Sequence, residues 1–321
     1  MKKKIAPILI LVLLFVIWLQ PLSLGKEEVT IPDGVSAKEI AEHLSQAHIV
    51  RDVHEFLLWL RVSGREKYLK SGTYELYKYK NPLYVINELS RGGASDIDVT
   101  IPEGLTIYET ADLLATQGLV ERDRFVELCN DPDFIKTLGL NVPSLEGYLF
   151  PDTYSFSLTQ TDSQIVTTFI RNFKQHTKKI HIGNPDSLHT ILILASLVEK
   201  EARFEDERPV IARVFINRLD TNRPLESCAT VLYALRRIDY EKYGGKTRLT
   251  EHDLKVKSPY NTYLQSGLPP GPICSPGAHS MHAVLNPADV DYLYFVAKGD
   301  GHHHFSRTYR EHVAAKEKYN D

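Results

Sequence analysis

The chain has 321 residues, 43% of them apolar and 25% charged. That length suits two domains with a small third unit, and that balance excludes widespread disorder. A net charge of −3 gives no electrostatic reason to expect a nucleic-acid partner.

The N-terminus carries Lys2, Lys3 and Lys4, followed by an apolar run from Ile5 to Leu24 whose only strongly polar side chain is Gln20. About twenty helical residues span a hydrocarbon core of about 30 Å. The lysines then hold the N-terminus in the cytoplasm and place everything after Lys26 outside. A cleaved signal peptide is the competing reading, because Ser23, Leu24 and Gly25 offer the small residues of a cleavage site. The length of the run favours a retained anchor. Both readings export the body of the protein to the periplasmic side of the inner membrane, and no Cys follows the run to carry a lipid.

An internal repeat comes next. VTIPDG at 29–34 recurs as VTIPEG at 99–104, and Glu39, Ala41, Leu44 and Val50 match Glu109, Ala111, Leu114 and Val120. Each copy predicts a short strand, a Pro-acidic-Gly turn, a Ser or Thr cap and an amphipathic helix. Residues 71–76 (SGTYEL) and 145–150 (LEGYLF) read as a second related pair. The prediction is an α+β protein: an anchor over 1–25, a duplicated β-turn-α region over 26–143, and a mixed α+β catalytic domain over 144–321.

In the catalytic half, Asn184 and Pro185 predict the start of a helix running to Ala202. Arg208 and Pro209 start the next, with Val210, Ile211, Val214, Phe215 and Leu219 on one face. Polar loops follow at 226–230 and 258–263. The segment 267–277 is dense in Pro and Gly, and so stiff enough to line a site. Residues 292–296 (YLYFV) read as a buried strand.

Glu199 stands out chemically, at the end of the greasy run Ile191–Val198. Burial raises a carboxyl pKa, and a raised pKa suits a general acid near neutral pH. Residues Ala195 and Ser196, one turn earlier, are small and leave a shallow spot beneath Glu199. A surface acid at a fraying helix end is the plain alternative. Glu201 points about 200° away and reads as structural, paired with one of Arg203, Arg208 or Arg213.

His302, His303 and His304 are adjacent on a strand, so they cannot all face one metal. No metal-ligand spacing, phosphate loop or nucleophile elbow occurs, so neither metal nor cofactor is expected. Export permits one disulfide among Cys129, Cys228 and Cys274. Cys228 and Cys274 lie in polar, Gly/Pro-bearing segments. They are the expected pair, with Cys129 free and buried; three unpaired thiols are the alternative.

Six segments occur in order: LEGYLFPDTY at 145–154, ASLVEKE at 195–201, FINRL at 215–219, SPYNTY at 258–263, GLPPGPI at 267–273 and YLYFVAKG at 292–299. Together they resemble the endolytic murein transglycosylases, the YceG-like (MltG) family, over essentially the whole chain. The resemblance implies a LysM-like character for the repeated region and a lytic transglycosylase acting within peptidoglycan strands. It also implies peptidoglycan synthases of the inner membrane as partners. Glu199 would be the catalytic acid. It would cleave the β-1,4 bond between N-acetylmuramic acid and N-acetylglucosamine and leave a 1,6-anhydro end. Glu226, Ser227, Tyr260, Asn261, Tyr263 and His303 would bind sugar. The likeness departs at 225–231, where LESCATV stands in place of the expected LQSDPTV. Glu226 therefore reads either as a second carboxylate, giving a hydrolase, or as a stand-in for Gln. A wall-binding protein without catalysis is the remaining rival.

Overall fold

The computed structural model describes residues 25–32, 34–92, 96–158, 160–180 and 187–319. The expected anchor at 5–24 and the expected helix start at Asn184 lie outside these residues. Among the described residues no helix is long and apolar enough to cross a membrane. They form an α+β protein of three two-stranded sheets and many helices. Chain contacts divide it into two compact units. Of the described residues, the first holds those up to 99 with 117–119 and 155–164; the second holds 100–116, 120–154 and those from 165 onward. The second repeat, expected alongside the first in one region, thus belongs largely to the unit carrying the C-terminal half.

The first unit contains β1 (Lys26–Ile31), α1 (Ala37–Gln46), α2 (Val53–Ser63), β2 (Gly72–Tyr77) and α3 (Pro82–Arg91). Alternation in β1 buries Val29 and Ile31 while leaving Glu28 and Thr30 exposed. β1 and β2 pair antiparallel, Lys26 opposite Tyr77 and Ile31 opposite Gly72. Ser36 opens α1 with a capping box: its hydroxyl accepts from the Glu39 N–H at 3.3 Å, and the Glu39 carboxylate accepts from the Ser36 N–H at 2.6 Å. Asp52 and Asn81 cap α2 and α3. The core gathers Leu44, Phe56, Leu60, Leu76, Val85 and Leu89.

The second repeat forms the same elements. β3 (Asp96–Ile101) pairs with a later strand, and α4 (Ile107–Thr116) begins at Thr106, which makes the same capping box with Glu109. After α5 (Arg122–Asn130) and α6 (Pro132–Thr137) comes that partner, β4 (Asp152–Ser157). The register of the repeat differs from the sequence expectation. Segment 71–76 corresponds to residues 151–156, which run into β4, not to 145–150. Thr30 and Thr73 hydroxyls meet at 3.0 Å across the first ribbon, and Thr100 and Thr153 at 2.9 Å across the second. The next residues, Tyr74 and Tyr154, each donate a hydroxyl hydrogen to the carbonyl four residues earlier, at 2.7 and 2.5 Å. Segment 145–150 instead folds as a buried turn.

The C-terminal half continues with α7 (Asp162–Lys179), α8 (Leu188–Glu201), α9 (Arg208–Asp220), α10 (Cys228–Ile238) and α11 (Tyr240–Tyr243). It ends with α12 (Ala278–Leu285), β5 (Tyr294–Ala297), β6 (His303–Ser306) and α13 (Tyr309–Tyr319). Every residue of α8 from Ile191 to Val198 is buried. A helix apolar on all sides belongs inside a protein, and α9, α10 and α12 surround this one. β5 and β6 pair antiparallel, Tyr294 opposite Ser306, and α13 packs on both strands.

Candidate active site

α8 ends on Glu199, Lys200 and Glu201, and the two acids enter different surroundings. On one face, Ser196 is fully buried, donates to the Ile193 carbonyl at 2.7 Å and accepts from the Ile273 N–H at 3.0 Å. The small pair Ala195 and Ser196 therefore admits the stiff 267–277 loop. It does not leave the open spot for a ligand that the sequence suggests. Glu199 lies beyond this contact with a side chain 7% exposed. Its Oε2 accepts from Arg208 Nη1 at 2.9 Å and from the Gly277 N–H at 3.0 Å. Arg208 also bonds the Ser280 hydroxyl and approaches Glu103 at 3.8 Å. Burial and the nearby Glu199 raise the proton affinity of Glu103. The Glu103 carboxylate occupies the space a Cβ at Gly277 would take, so a larger residue there would have to displace that side chain.

Glu201 faces a cavity of about 370 Å³. Its Oε1 accepts from the Ser227 hydroxyl at 2.6 Å. Burial raises its pKa above the ordinary carboxyl value, against opposing pulls from the Ser227 hydrogen bond and the charge of His303. The expected ion pair of Glu201 with Arg203, Arg208 or Arg213 does not form, because Arg208 is taken by Glu199 and Glu201 meets a hydroxyl instead. The same cavity is walled by Glu226, Cys228 and Tyr263, and also by Tyr294, His312 and Lys316.

The wall at 226 is held under strain. Glu226 has φ +50°, a conformation that costs a β-carbon-bearing residue of order 1 kcal/mol or more. Arg218 compensates: its Nη1 donates to the carbonyls of Pro224 and Leu225 at 2.9 and 3.2 Å and to Glu226 Oε2 at 2.8 Å, while Nε donates to Leu293 at 2.7 Å. Its guanidinium lies 5.1 Å from the Tyr294 ring centre. Sequence reasoning singled out the 215–219 segment containing Arg218 without giving that side chain a role.

Of the residues expected to bind sugar, Glu226, Ser227 and Tyr263 gather around Glu201. Ser227 is 3% exposed and acts on the acid itself, and Tyr263 lines the cavity. Asn261 corrects the expectation. It is fully buried, its amide donates to the carbonyls of Leu254 and Val256 at 2.9 Å each, and its oxygen accepts from the Tyr263 N–H at 3.0 Å. Every polar group of Asn261 is spent shaping the loop. Tyr260 is also buried, tilted against Tyr233 and accepting from Arg237 at 3.2 Å. His303 is clamped by Glu207, whose carboxylate accepts from the His303 N–H at 2.8 Å and meets Nδ1 at 2.9 Å.

The expected disulfide is absent, and all three cysteines are free. Cys228 is exposed with its sulfur 3.2 Å from the Tyr263 hydroxyl. Cys274 is buried and donates to the Ser196 carbonyl at 3.5 Å. α8 holds the two in different settings: Cys228 opens α10 at the Glu201 cavity, and Cys274 is pinned against Ser196.

Glu201, a half-buried carboxyl of raised pKa held by the Ser227 hydroxyl on a cavity that also gathers Glu226 and Tyr263, marks a candidate site for acid–base chemistry. Residues 29–318 match the YceG-like family, and the chain belongs to that family. It is 33% identical over 91% of its length to the endolytic murein transglycosylase of Bacillus subtilis, covering 84% of that protein. It is 31% identical over 84% of its length to the endolytic murein transglycosylase of Streptococcus pneumoniae, of whose length it spans 54%. The crystal structure of a yceG-like protein from Listeria monocytogenes superposes with a TM-score of 0.61 at 33% identity, covering 91% of this chain and 99% of that one.

Proposed function

We propose that this protein is an endolytic lytic transglycosylase of peptidoglycan and that Glu201 is its acid and base. The observation that carries the assignment is the half-buried Glu201 carboxyl, held by the Ser227 hydroxyl on the wall of a cavity of about 370 Å³, with its pKa raised by desolvation. Ligand cavities run from about 300 to 1,000 Å³, so this one accommodates a sugar unit. Protonated Glu201 gives its proton to the oxygen of the β-1,4 bond between N-acetylmuramic acid and N-acetylglucosamine, and the C1–O bond breaks. The Glu201 carboxylate then takes the proton of the muramoyl 6-hydroxyl as that oxygen bonds to C1. The acid is regenerated, no water is consumed, and a 1,6-anhydro end remains. Because the nucleophile belongs to the substrate, a second carboxylate is not required.

The apolar run before it pointed to Glu199 for this role. Arg208 and Gly277 already engage Glu199 Oε2, which suits a residue that fastens the 267–277 loop to α8. Ser227 positions Glu201, and Tyr263 lines the sugar site. The same reading keeps residues 5–24 as a membrane anchor with the N-terminus in the cytoplasm and the remainder outside, within reach of peptidoglycan synthases. Lys2, Lys3, Lys4 and the length of the apolar run support it.

Mass spectrometry of digested sacculi tests the assignment. Wild type is expected to release anhydromuramoyl products, and Glu201→Gln to release none while remaining folded. Full activity of Glu201→Gln together with an inactive, folded Glu199→Gln would return the role to Glu199. A second reading, hydrolysis with Glu226 as partner, is favoured by the presence of Glu226 on the same cavity wall. It requires products heavier by one water and their loss in Glu226→Gln.

A further inference from the structure

Part of the lining of the Glu201 cavity is not used by the chemistry above. It comes from β5 and α13: Tyr294 on the strand, and His312 and Lys316 one turn apart on the helix. Charge within the cavity is unevenly matched. Glu226 is paired with Arg218 at 2.8 Å, and Glu201 holds the Ser227 hydroxyl. Lys316 also lines the cavity, yet it forms no ion pair or hydrogen bond among the described residues. His312 stacks on Tyr294 with ring centres 5.2 Å apart, and its buried Nδ1 has no hydrogen-bond partner among the described residues.

We propose that His312 and Lys316 form a carboxylate subsite that receives an anionic substituent of the muramoyl residue, foremost the peptide stem. The proposal rests on the peptidoglycan reading of the same cavity. Glycan strands alternate a neutral sugar with one bearing a lactyl group and its stem, so a cation on the same cavity as the acid registers the strand with the correct bond at Glu201. Burial, together with the charges of Lys316 and Arg218, disfavours protonation of His312. The imidazole therefore serves as a neutral hydrogen-bonding group beside a single ammonium, and no second cation has to be desolvated. Glu226 strengthens the arrangement by neutralising Arg218, which leaves Lys316 as the unmatched charge.

The test uses the full chain in detergent micelles, wild type beside Lys316→Gln and Lys316→Arg. Lys316 is on the exposed side of a helix, so these variants keep the fold. Three ligands separate the sources of the carboxylate. Stem-bearing glycan carries peptide carboxylates, amidase-stripped glycan carries the free lactyl carboxylate, and chitohexaose carries neither. For Lys316→Gln, affinity for the stem-bearing fragment is expected to fall about fivefold. Arg restores it, and high salt narrows the difference. A loss confined to stem-bearing glycan assigns the stem, and an equal loss on stripped glycan assigns the lactyl group. An equal loss on chitohexaose, or no loss on either glycan, overturns the proposal. These are binding measurements, so they report on Lys316 separately from product formation. Absence of anhydro products from wild type would instead remove the transglycosylase reading.

Discussion

The two copies of the repeat share their local structure and differ in what surrounds it. Both open with a strand, turn through a left-handed glycine (Gly34 at φ +78°, Gly104 at φ +82°) and start a helix with a capping box. Around Gly34 there is open space. Around Gly104 the C-terminal half closes in. Its N–H donates to Ser275 at 2.8 Å, its carbonyl accepts from Lys200 at 2.8 Å, and Glu199 lies against it. The helix starts differ in the same way. Glu39 serves only its cap, whereas Glu109 also accepts from Arg236 at 3.1 Å, and the Ile107 N–H is held by Glu146 at 3.2 Å. The first copy thus packs into the core of the first unit, and the second contributes to the surroundings of Glu199. Local sequence determines the module; its neighbours determine its use.

The largest expected difference between the copies comes from Arg208, which reaches the turn acid of the second one. Arg208→Ala leaves Glu199 buried without its partner, and the second unit should lose about 3 kcal/mol. Hydrogen exchange read by mass spectrometry should show that loss in residues 188–285 and none in residues 26–91. A loss below about 1 kcal/mol would show that the pair is not structural.

A pH dependence should follow in the same unit. Glu146 is fully buried, and burial pushes its pKa from 4.5 up to about 8, against hydrogen bonds from Ile107 and Tyr233. The folded state therefore holds this proton more tightly than the unfolded chain. Its contribution is complete below about pH 4.5 and is lost as pH rises through about 8, with a slope of at most about 1.4 kcal/mol per pH unit. Stability of the second unit should fall between pH 5 and 8, and Glu146→Gln should flatten that decline. An unchanged slope in Glu146→Gln would assign the dependence to other groups.

The smallest effects compare the caps directly. Ser36→Ala should cost the first unit about 1 kcal/mol. Thr106→Ala should cost the second about 2 kcal/mol, because the buried Thr106 also loses a packed methyl group. Equal losses in denaturant titrations would mean that embedding the second copy adds nothing to its cap.

Much of this is written locally. Capping boxes, the Pro209 start of α9, the wholly apolar α8 and the strand–turn–helix repeat all depend on residues within a few positions of one another, and each is readable in the sequence. The register of the second ribbon is not. Tyr74 and Tyr148 both follow glycine-bearing segments, and only the cross-strand pair of Thr100 with Thr153 shows that Tyr154 is the true counterpart. The site divides in the same manner. Glu226, Ser227 and Tyr263 are visible as polar loop residues in recognisable segments, whereas Arg218, His312 and Lys316 look like ordinary charges on helices.

The sequence by itself determined the family, the helix carrying the acids and the chemistry of a lone carboxyl. Two acids two residues apart on one helix look in different directions, and nothing in the local pattern says which direction stays open. Tertiary structure decided it. The 267–277 loop packs on Ser196 while Arg208 fastens Glu199, and Ser227 with the β5–α13 wall leaves a cavity beside Glu201. The proton affinity of a carboxyl follows from what lies around it, and here that surrounding comes from residues 17 to 115 positions further along the chain.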